Sequence, residues 1–442
     1  MREIHSSASP ESDNSLAEIE DLVAQLSREV GRSTRTPQLV SSETQNPAPE
    51  EDCLTSQQEA ISLHESVPRV LHVVENLNRG AVENWLVRML RHAHSKGIRL
   101  NWTFYCALPR PGELDEEAVA LGARVLYSPV AIGNKWTFAR ALRAELKRRK
   151  YDVLHCHHDL VSAFYLLAAT GLPLSRRIVH VHNADEHVLT PSKLKQSLIR
   201  GPMRRVCLKT ADRIVGISGH TLDTFLAGRP RYPGRDVVHY YGIEPPPVRG
   251  ENVDPGAFRR SLNLDEDSRI LLFAGRIVPE KNPLFALDVL AEMIHLDSKV
   301  AGVFVGSGQL EASLATRATK LGLQSKFRSL GWRADVPEIM RCCDWFILPR
   351  PEQPMEGFGI AVVEAELAGL RLLLSRGIAD DPLLPTARVQ RLSLGAGAEA
   401  WAHAAIALYQ EPAPSRSNAL AALKVSPMDM DRALADLIQL HA

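Results

Sequence analysis

The sequence predicts an α/β protein made of two doubly wound, Rossmann-like parallel-sheet domains, and three observations lead to that expectation. From residue 67 onward, short apolar runs alternate with segments of helical periodicity, which is the pattern of repeated βαβ units. The alternation breaks once, at Gly242-Ile243-Glu244-Pro245-Pro246-Pro247, and then resumes. Three successive prolines can continue neither a helix nor a central strand, so the hinge between domains is expected there. Finally, 442 residues exceed what one core usually organises, and a hydrophobic content of 45% is enough to fill two. The expected divisions are an extension over 1–66, a first domain over 67–244, a second over 249–427 and a last helical segment over 428–442.

In the first domain Arg69 to Val74 reads as a buried strand, followed after a glycine-containing turn by a helix from Glu83 to Lys96. Further strands are expected at Leu100 to Tyr105, Val125 to Ser128, Val153 to His157, Ile178 to His182, Arg213 to Ile217 and Val237 to Tyr241. The intervening helices are Thr137 to Arg149, Val161 to Thr170, Lys193 to Thr210 and Ser218 to Leu226. In the second domain the strands are Ile270 to Ala274, Val300 to Val305, Phe327 to Leu330, Trp345 to Leu348 and Leu372 to Ser375. Helices are expected at Pro283 to His295, Leu310 to Leu321, Val336 to Cys342 and Ile360 to Ala368. Asn282-Pro283 has the form of a helix start and Gly369 that of a helix stop. Beyond Pro385 the chain reads as Ala-rich helix.

Residues 1–66 are rich in Ser, Glu, Pro and Gln and read as mostly disordered. One amphipathic helix over about 15–30 is the exception, opened by the capping box Ser15-Leu16-Ala17-Glu18. This segment holds thirteen acidic and four basic residues, so a chain of zero net charge has a body of +9. Such a body suits anionic ligands and the neighbourhood of an anionic membrane surface. The start of the chain has no apolar signal core, and no stretch is apolar enough to span a bilayer, so a cytoplasmic protein with at most peripheral contact with the inner membrane face is expected. The six cysteines follow neither a zinc spacing nor a disulfide framework and read as buried free thiols.

The chemistry-bearing residues lie where predicted strands end. Arg276 and Lys281 follow the first strand of the second domain, and Glu356 and Glu364 flank the turn Gly357-Phe358-Gly359, which opens a helix. Free amides and the positive dipole end of a helix favour an anion, basic side chains neutralise phosphates, and carboxylates hold sugar hydroxyls. That combination suits a nucleoside-diphosphate sugar.

Five motifs then occur in a telling order: Gly275-Arg276-Ile277-Val278-Pro279-Glu280-Lys281-Asn282, Val305-Gly306-Ser307-Gly308-Gln309-Leu310, Leu330-Gly331-Trp332, Asp335-Val336-Pro337 and Met355-Glu356-Gly357-Phe358-Gly359. In this order the chain resembles glycosyltransferase family 4, over roughly residues 67 to 385, and Ala365-Glu366-Leu367-Ala368-Gly369-Leu370 is similar to its bacterial exopolysaccharide subgroup. The resemblance implies a retaining enzyme of GT-B fold, with two Rossmann-like domains facing each other across a cleft and the C-terminal helices near the domain junction. It implies a nucleotide-sugar donor, a lipid-linked or glycan acceptor and no nucleic-acid partner. Arg276 and Lys281 would neutralise the departing diphosphate, Trp332 and Arg333 would lie at the base, and Glu364 would hold the ribose hydroxyls. Glu356 would meet the donor sugar, by anchoring a hydroxyl or stabilising charge, with the backbone of Gly357, Phe358 and Gly359 beside it. His182 would face the donor sugar and acceptor, and the amide of Gly80 would contact phosphate.

Two departures stand out. Asn78-Arg79-Gly80-Ala81-Val82-Glu83 has Arg79 for a glycine and an inserted Val82, and Tyr241 replaces an asparagine, a change expected to touch hinge geometry more than chemistry. His155 and His157 read as cleft-wall residues. No cofactor and no metal is expected, since no Asp-x-Asp pair stands at a strand end. A nicotinamide-dependent oxidoreductase is disfavoured, because Gly306-Ser307-Gly308 lacks the third glycine of the dinucleotide fingerprint. The remaining alternative is a non-catalytic scaffold of the same fold, against which stands the joint presence of Arg276, Lys281, Glu356 and Glu364.

Overall fold

A strand covered on both faces is expected to be mostly apolar, and Val300–Val305 and Trp345–Leu348 are apolar and buried from end to end, as is Val153–Cys156 apart from its buried His155. The computed structural model describes residues 67–78, 80–183, 193–245 and 254–442, with residues 193–198 as backbone only. The extension over 1–66, including the helix expected at 15–30, lies outside the described residues.

Seven parallel strands form the first sheet: β1 (Arg69–Val74), β2 (Asn101–Cys106), β3 (Arg124–Tyr127), β4 (Val153–Cys156), β5 (Arg176–Val181), β6 (Arg213–Gly216) and β7 (Asp236–Val238), in the order β3-β2-β1-β4-β5-β6-β7. Six form the second: β8 (Arg269–Ala274), β9 (Val300–Val305), β10 (Phe327–Ser329), β11 (Trp345–Leu348), β12 (Arg371–Ser375) and β13 (Val389–Leu392), in the order β10-β9-β8-β11-β12-β13. Each order reverses direction beside its first strand, between β1 and β4 and between β8 and β11. Loops leaving the carboxyl ends of such a pair splay apart and leave a crevice. The second sheet therefore sets the loop after β8, with Arg276 and Lys281, next to the loop after β11, with Arg350 and Glu356.

The helices that matter for the site are α1 (Ala81–Ser95), α6 (Gly219–Leu226), α8 (Pro283–Leu296), α11 (Ile360–Ala368), α13 (Arg416–Val425) and α14 (Met430–His441), counting the α-helices of the described residues in chain order. The sequence reading missed the short helices Asp115–Ala120 and Pro255–Ser261, whose few residues carry little periodicity. It also misread the stretch after Pro385. Val389–Leu392 is an edge strand, paired in parallel with β12 from Leu372↔Val389 to Ser375↔Leu392. Its residues are all half-buried, so the apolar run that marks an interior strand is missing.

The last helices return to the first domain. Leu423, Met430, Leu434 and Leu437 share a core with Trp85, Met89 and Leu90 of α1. The backbone amide of Ile243 donates to the Met428 carbonyl at 2.8 Å, and Asp431 pairs with His92 on α1 and with Lys96 just past its end. Gly242 lies in this seam, where a Cβ would stand 2.6 Å from Met89 Cε and 2.7 Å from Met430 Sδ.

Glu366 on α11 clamps the segment that follows β12: its Oε2 accepts from the Leu384 amide at 2.9 Å. Burial pushes its carboxyl up to about 8, from an ordinary 4.5. The folded state thus holds a proton that the unfolded chain releases, so stability falls as pH rises from 4.5 through 8. Glu366→Gln keeps an acceptor for Leu384 and abolishes that slope. Denaturant melts should show the variant gaining on the parent by on the order of 3 kcal/mol between pH 5 and 9, and equal slopes would contradict the assignment.

Candidate active site

The second domain builds its side of the site from close backbone contacts. A Cβ on Gly306 would stand 1.9 Å from the Gly275 carbonyl oxygen, and one on Gly308 would stand 2.4 Å from that of Ile277. The bare glycines let the loops after β8 and β9 join through Ile277 N to Ser307 O at 2.9 Å and Leu310 N to Ile277 O at 3.0 Å. Gly306-Ser307-Gly308 is thus a loop-packing device, which accounts for its partial likeness to a dinucleotide fingerprint. Asn282 sits in the left-handed region (φ 53°) and gives α8 no side-chain cap; instead its Nδ2 donates to the Pro349 carbonyl at 3.1 Å. That bond fastens the lysine-bearing loop to the one that carries Arg350.

At the crevice between them, Lys281 Nζ lies 2.6 Å and Arg350 Nη1 3.0 Å from the same oxygen, Glu356 Oε2. All three side chains are 12–16% exposed. Burial alone would raise the Glu356 carboxyl, but the charges of Lys281, Arg350 and Arg276 hold it below its ordinary value. Burial lowers Lys281, with Glu356 opposing and the two arginines reinforcing that shift. Arg276 itself is exposed on the same loop. The result is one fixed carboxylate among three cations, two of them with desolvated heads. Arg350 was not singled out from the sequence, because Pro349-Arg350-Pro351 matches no motif and only the pairing of β11 with β8 brings it opposite Lys281.

The first domain supplies the facing wall. A Cβ on Gly357 would stand 2.6 Å from the His182 carbonyl oxygen, so the turn after Glu356 lies directly on the end of β5. His182 is buried and both its ring nitrogens are engaged, Nδ1 with Tyr241 Oη at 2.8 Å and Nε2 with His157 Nδ1 at 3.0 Å. Its amide donates to Asp159 Oδ1 at 2.8 Å. To act on a substrate, this imidazole would have to release one of those partners. Tyr241, expected to matter for hinge geometry more than chemistry, also holds the His182 ring. Asp381 crosses between domains in the other direction, its Oδ1 accepting from the Gly219 amide at 2.6 Å at the start of α6.

The other expected site residues fall at varied distances from this centre. Phe358 is buried against Tyr240 and Tyr241, so its side chain is an interdomain plug and only its backbone is left for a donor. Gly359 takes a positive φ of 89° to start α11. Glu364, one turn further, is half-buried; burial raises its carboxyl, and the charge of Arg88 on α1 partly offsets this. Trp332 is 61% exposed. Arg333 is engaged by Asp335 through two bonds, 2.7 and 2.5 Å, so its guanidinium faces a carboxylate of its own loop. The Gly80 amide donates to Asn78 O at 2.8 Å, and the Glu83 side chain folds over it. Burial pushes the Glu83 carboxyl up to about 7.

His155 and His157 correct the sequence reading more sharply. They lie in the core of the first domain with His72, His180, His239 and His441, among which burial holds His72, His155, His157 and His180 well below the ordinary imidazole range. The signal was present in His155-x-His157 and His180-x-His182, since residues two apart on a strand share a face.

Two facing Rossmann-like domains, with a clamped carboxylate and a cationic loop at their junction, define a glycosyltransferase of the GT-B type. The family model described as Glycosyltransferase Family 4 matches residues 82–245, and that described as Glycosyl transferases group 1 matches 256–379, together nearly two thirds of the chain. The chain belongs to glycosyltransferase family 4. It is 28% identical over 348 residues to EpsF of Bacillus subtilis (strain 168), a glycosyltransferase by name, covering 77% of this chain and 87% of that one. It is 27% identical to an Escherichia coli UDP-Gal:alpha-D-GlcNAc-diphosphoundecaprenol alpha-1,3-galactosyltransferase, covering 60% and 68%. Among solved structures, Anabaena Alr3699/HepE in complex with UDP superposes with a TM-score of 0.68 at 17% identity, covering 84% of this chain and 98% of that one. Among the described residues, no helix is long and apolar enough to cross a membrane.

Proposed function

We propose that this glycosyltransferase moves a sugar from a nucleoside-diphosphate donor to a lipid-linked or polysaccharide acceptor, with retention at the anomeric carbon, in exopolysaccharide or other cell-surface glycan biosynthesis. The observation that carries the reading is the Glu356 carboxylate held by Lys281 and Arg350 at 2.6 and 3.0 Å in the crevice of the second sheet. The E. coli relative, which is named for a diphosphoundecaprenol acceptor, supports the acceptor class. HepE, solved with UDP-glucose, supports the donor class through the shared fold.

In this reading the bond from the anomeric carbon to the diphosphate breaks and the acceptor oxygen bonds the carbon on the same face. The acceptor proton passes to the departing diphosphate. Lys281 and Arg276 meet the negative charge that builds there, and Glu356 lies against the positive charge of the sugar ring. Glu364 holds the ribose. The cations take the place of a divalent ion at the diphosphate, so no metal enters this step.

Lys281→Ala removes one charge-assisted contact with the diphosphate, worth about 1.5–3 kcal/mol, and kcat/KM for the donor should fall roughly 10- to 100-fold. Millimolar Mg2+ or Mn2+ should leave the parent rate unchanged. The first test is a thermal-shift screen of UDP- and GDP-sugars followed by anomeric analysis of the product. Strong stimulation by either ion, or an unaltered Lys281→Ala, would remove the electrostatic account, and an inverted product would remove retention.

A further inference from the structure

One face of the first sheet carries an unusual cargo. His72 on β1, His155 at the end of β4 and His441 on the last turn of α14 each place one ring nitrogen within 4.8 Å of the other two, and all three side chains are buried. His155, His157 and His180 form an overlapping triad on the same terms. We propose that His72, His155 and His441 bind one borderline divalent transition-metal ion of the Zn2+ class, which clasps α14 to the sheet.

Three observations support a ligand at this place. His155 Nδ1 faces His441 Nε2 at 3.0 Å, near the edge of about 3.3 Å that two imidazoles span on a tetrahedral ion with bonds of about 2.0–2.1 Å. The His441 ring stands edge-on to the other two, at 73° to His72 and 76° to His155, so the three approach from different directions. Nearby, His72 Nε2, His180 Nε2, His239 Nδ1 and Trp85 Nε1 are buried without a hydrogen-bond partner. Buried polar nitrogens are expensive to leave unmatched, and the proposed ion would engage the one that belongs to the triad, His72 Nε2.

The hydrogen bonds already present also suit the outer shell of such an ion. Ligation through Nε2 leaves His72 Nδ1–H to donate to His157 Nε2 at 3.0 Å, and ligation through Nδ1 leaves His155 Nε2–H to donate to His180 Nδ1 at 3.1 Å. A metal-bound imidazole ordinarily donates its second N–H in this way. His157 then donates to His182 and His182 to Tyr241, so the ion also fixes the tautomer of the imidazole at the cleft. An all-nitrogen set selects Zn2+, Ni2+ or Cu2+ over Mg2+ and Mn2+, which prefer oxygen. The site is therefore separate from the cationic loop at the diphosphate, and it stands whether or not the transfer reaction is as proposed.

The test measures metal rather than activity. The full chain, purified without added metal or chelator, should hold about one transition-metal ion per chain by mass spectrometry. The stripped protein should titrate with Co2+ to about one equivalent, with the visible absorption of a tetrahedral nitrogen site. His441→Gln should abolish both signals, whereas His239→Gln, which alters a neighbour outside the triad, should keep them. Wild-type protein with no stoichiometric metal and no Co2+ spectrum overturns the site whatever the variants do. Full metal in folded His441→Gln, or loss in folded His239→Gln, overturns this ligand set.

Discussion

Glu356→Gln is expected to lower turnover by about two orders of magnitude or more, with little change in donor affinity. The amide keeps the shape and the hydrogen-bonding capacity of the carboxylate but not its charge. That charge lies against the sugar only as the ring becomes positive, so its loss is felt in the transition state and hardly in the ground state. A second consequence follows from the clamp: Glu356 balances Lys281 and Arg350, both largely withdrawn from solvent. With the carboxylate gone, these cations have only the diphosphate to answer them, so donor binding is preserved rather than weakened. Glu364→Ala should behave oppositely, with donor affinity falling about tenfold and turnover changing less, because a ribose contact is the same in ground and transition states. Initial rates and donor Kd for both variants, with one donor, check the pair. Normal turnover in Glu356→Gln, or identical behaviour of the two, would undo the division of roles.

Gly357→Ala should be nearly as damaging without touching a charged group. Its Cβ would stand 2.6 Å from the His182 carbonyl oxygen, and neither backbone can yield cheaply. His182 is fixed by its amide bond to Asp159 and by both ring nitrogens, and Glu356 by its amide bond to Gly377 O at 2.8 Å. The methyl group is therefore accommodated by parting the two cleft walls. A displacement of about 1 Å between reacting groups can cost on the order of a hundredfold in rate. We expect that loss in kcat, with far-UV circular dichroism and thermal unfolding close to the parent. Parent-like turnover would mean that the walls stand further apart during catalysis than they do here.

Much of the second domain was legible because its signals are local. Val300–Val305, Trp345–Leu348 and Ile360–Ala368 have the same bounds in sequence and structure, the first two apolar runs and the third a helix, each closed by glycine or proline. Edge strand Val389–Leu392 was illegible for the complementary reason: a half-buried strand of four residues alternates too briefly to be told from helix. The residues Arg276, Lys281, Glu356 and Glu364 could be chosen from motifs, yet nothing local says that Arg350 shares an oxygen of Glu356. Nor does it say that Arg333 is taken up by Asp335 or that Phe358 turns inward.

The amino-acid sequence by itself determined the two-domain α/β class, the family and the strand ends that carry charge, because periodicity and short motifs are properties of neighbouring residues. Only the tertiary structure decided which of those charges meet. Lys281 and Glu356 are brought together by parallel pairing at the β8–β11 switch point, and His182 and Gly357 by the apposition of two domains. His72, His155 and His441 converge because α14 returns to the first sheet after the second domain is complete. Such contacts depend on strand order and helix return, which are set by the burial of whole faces rather than by any local run of residues.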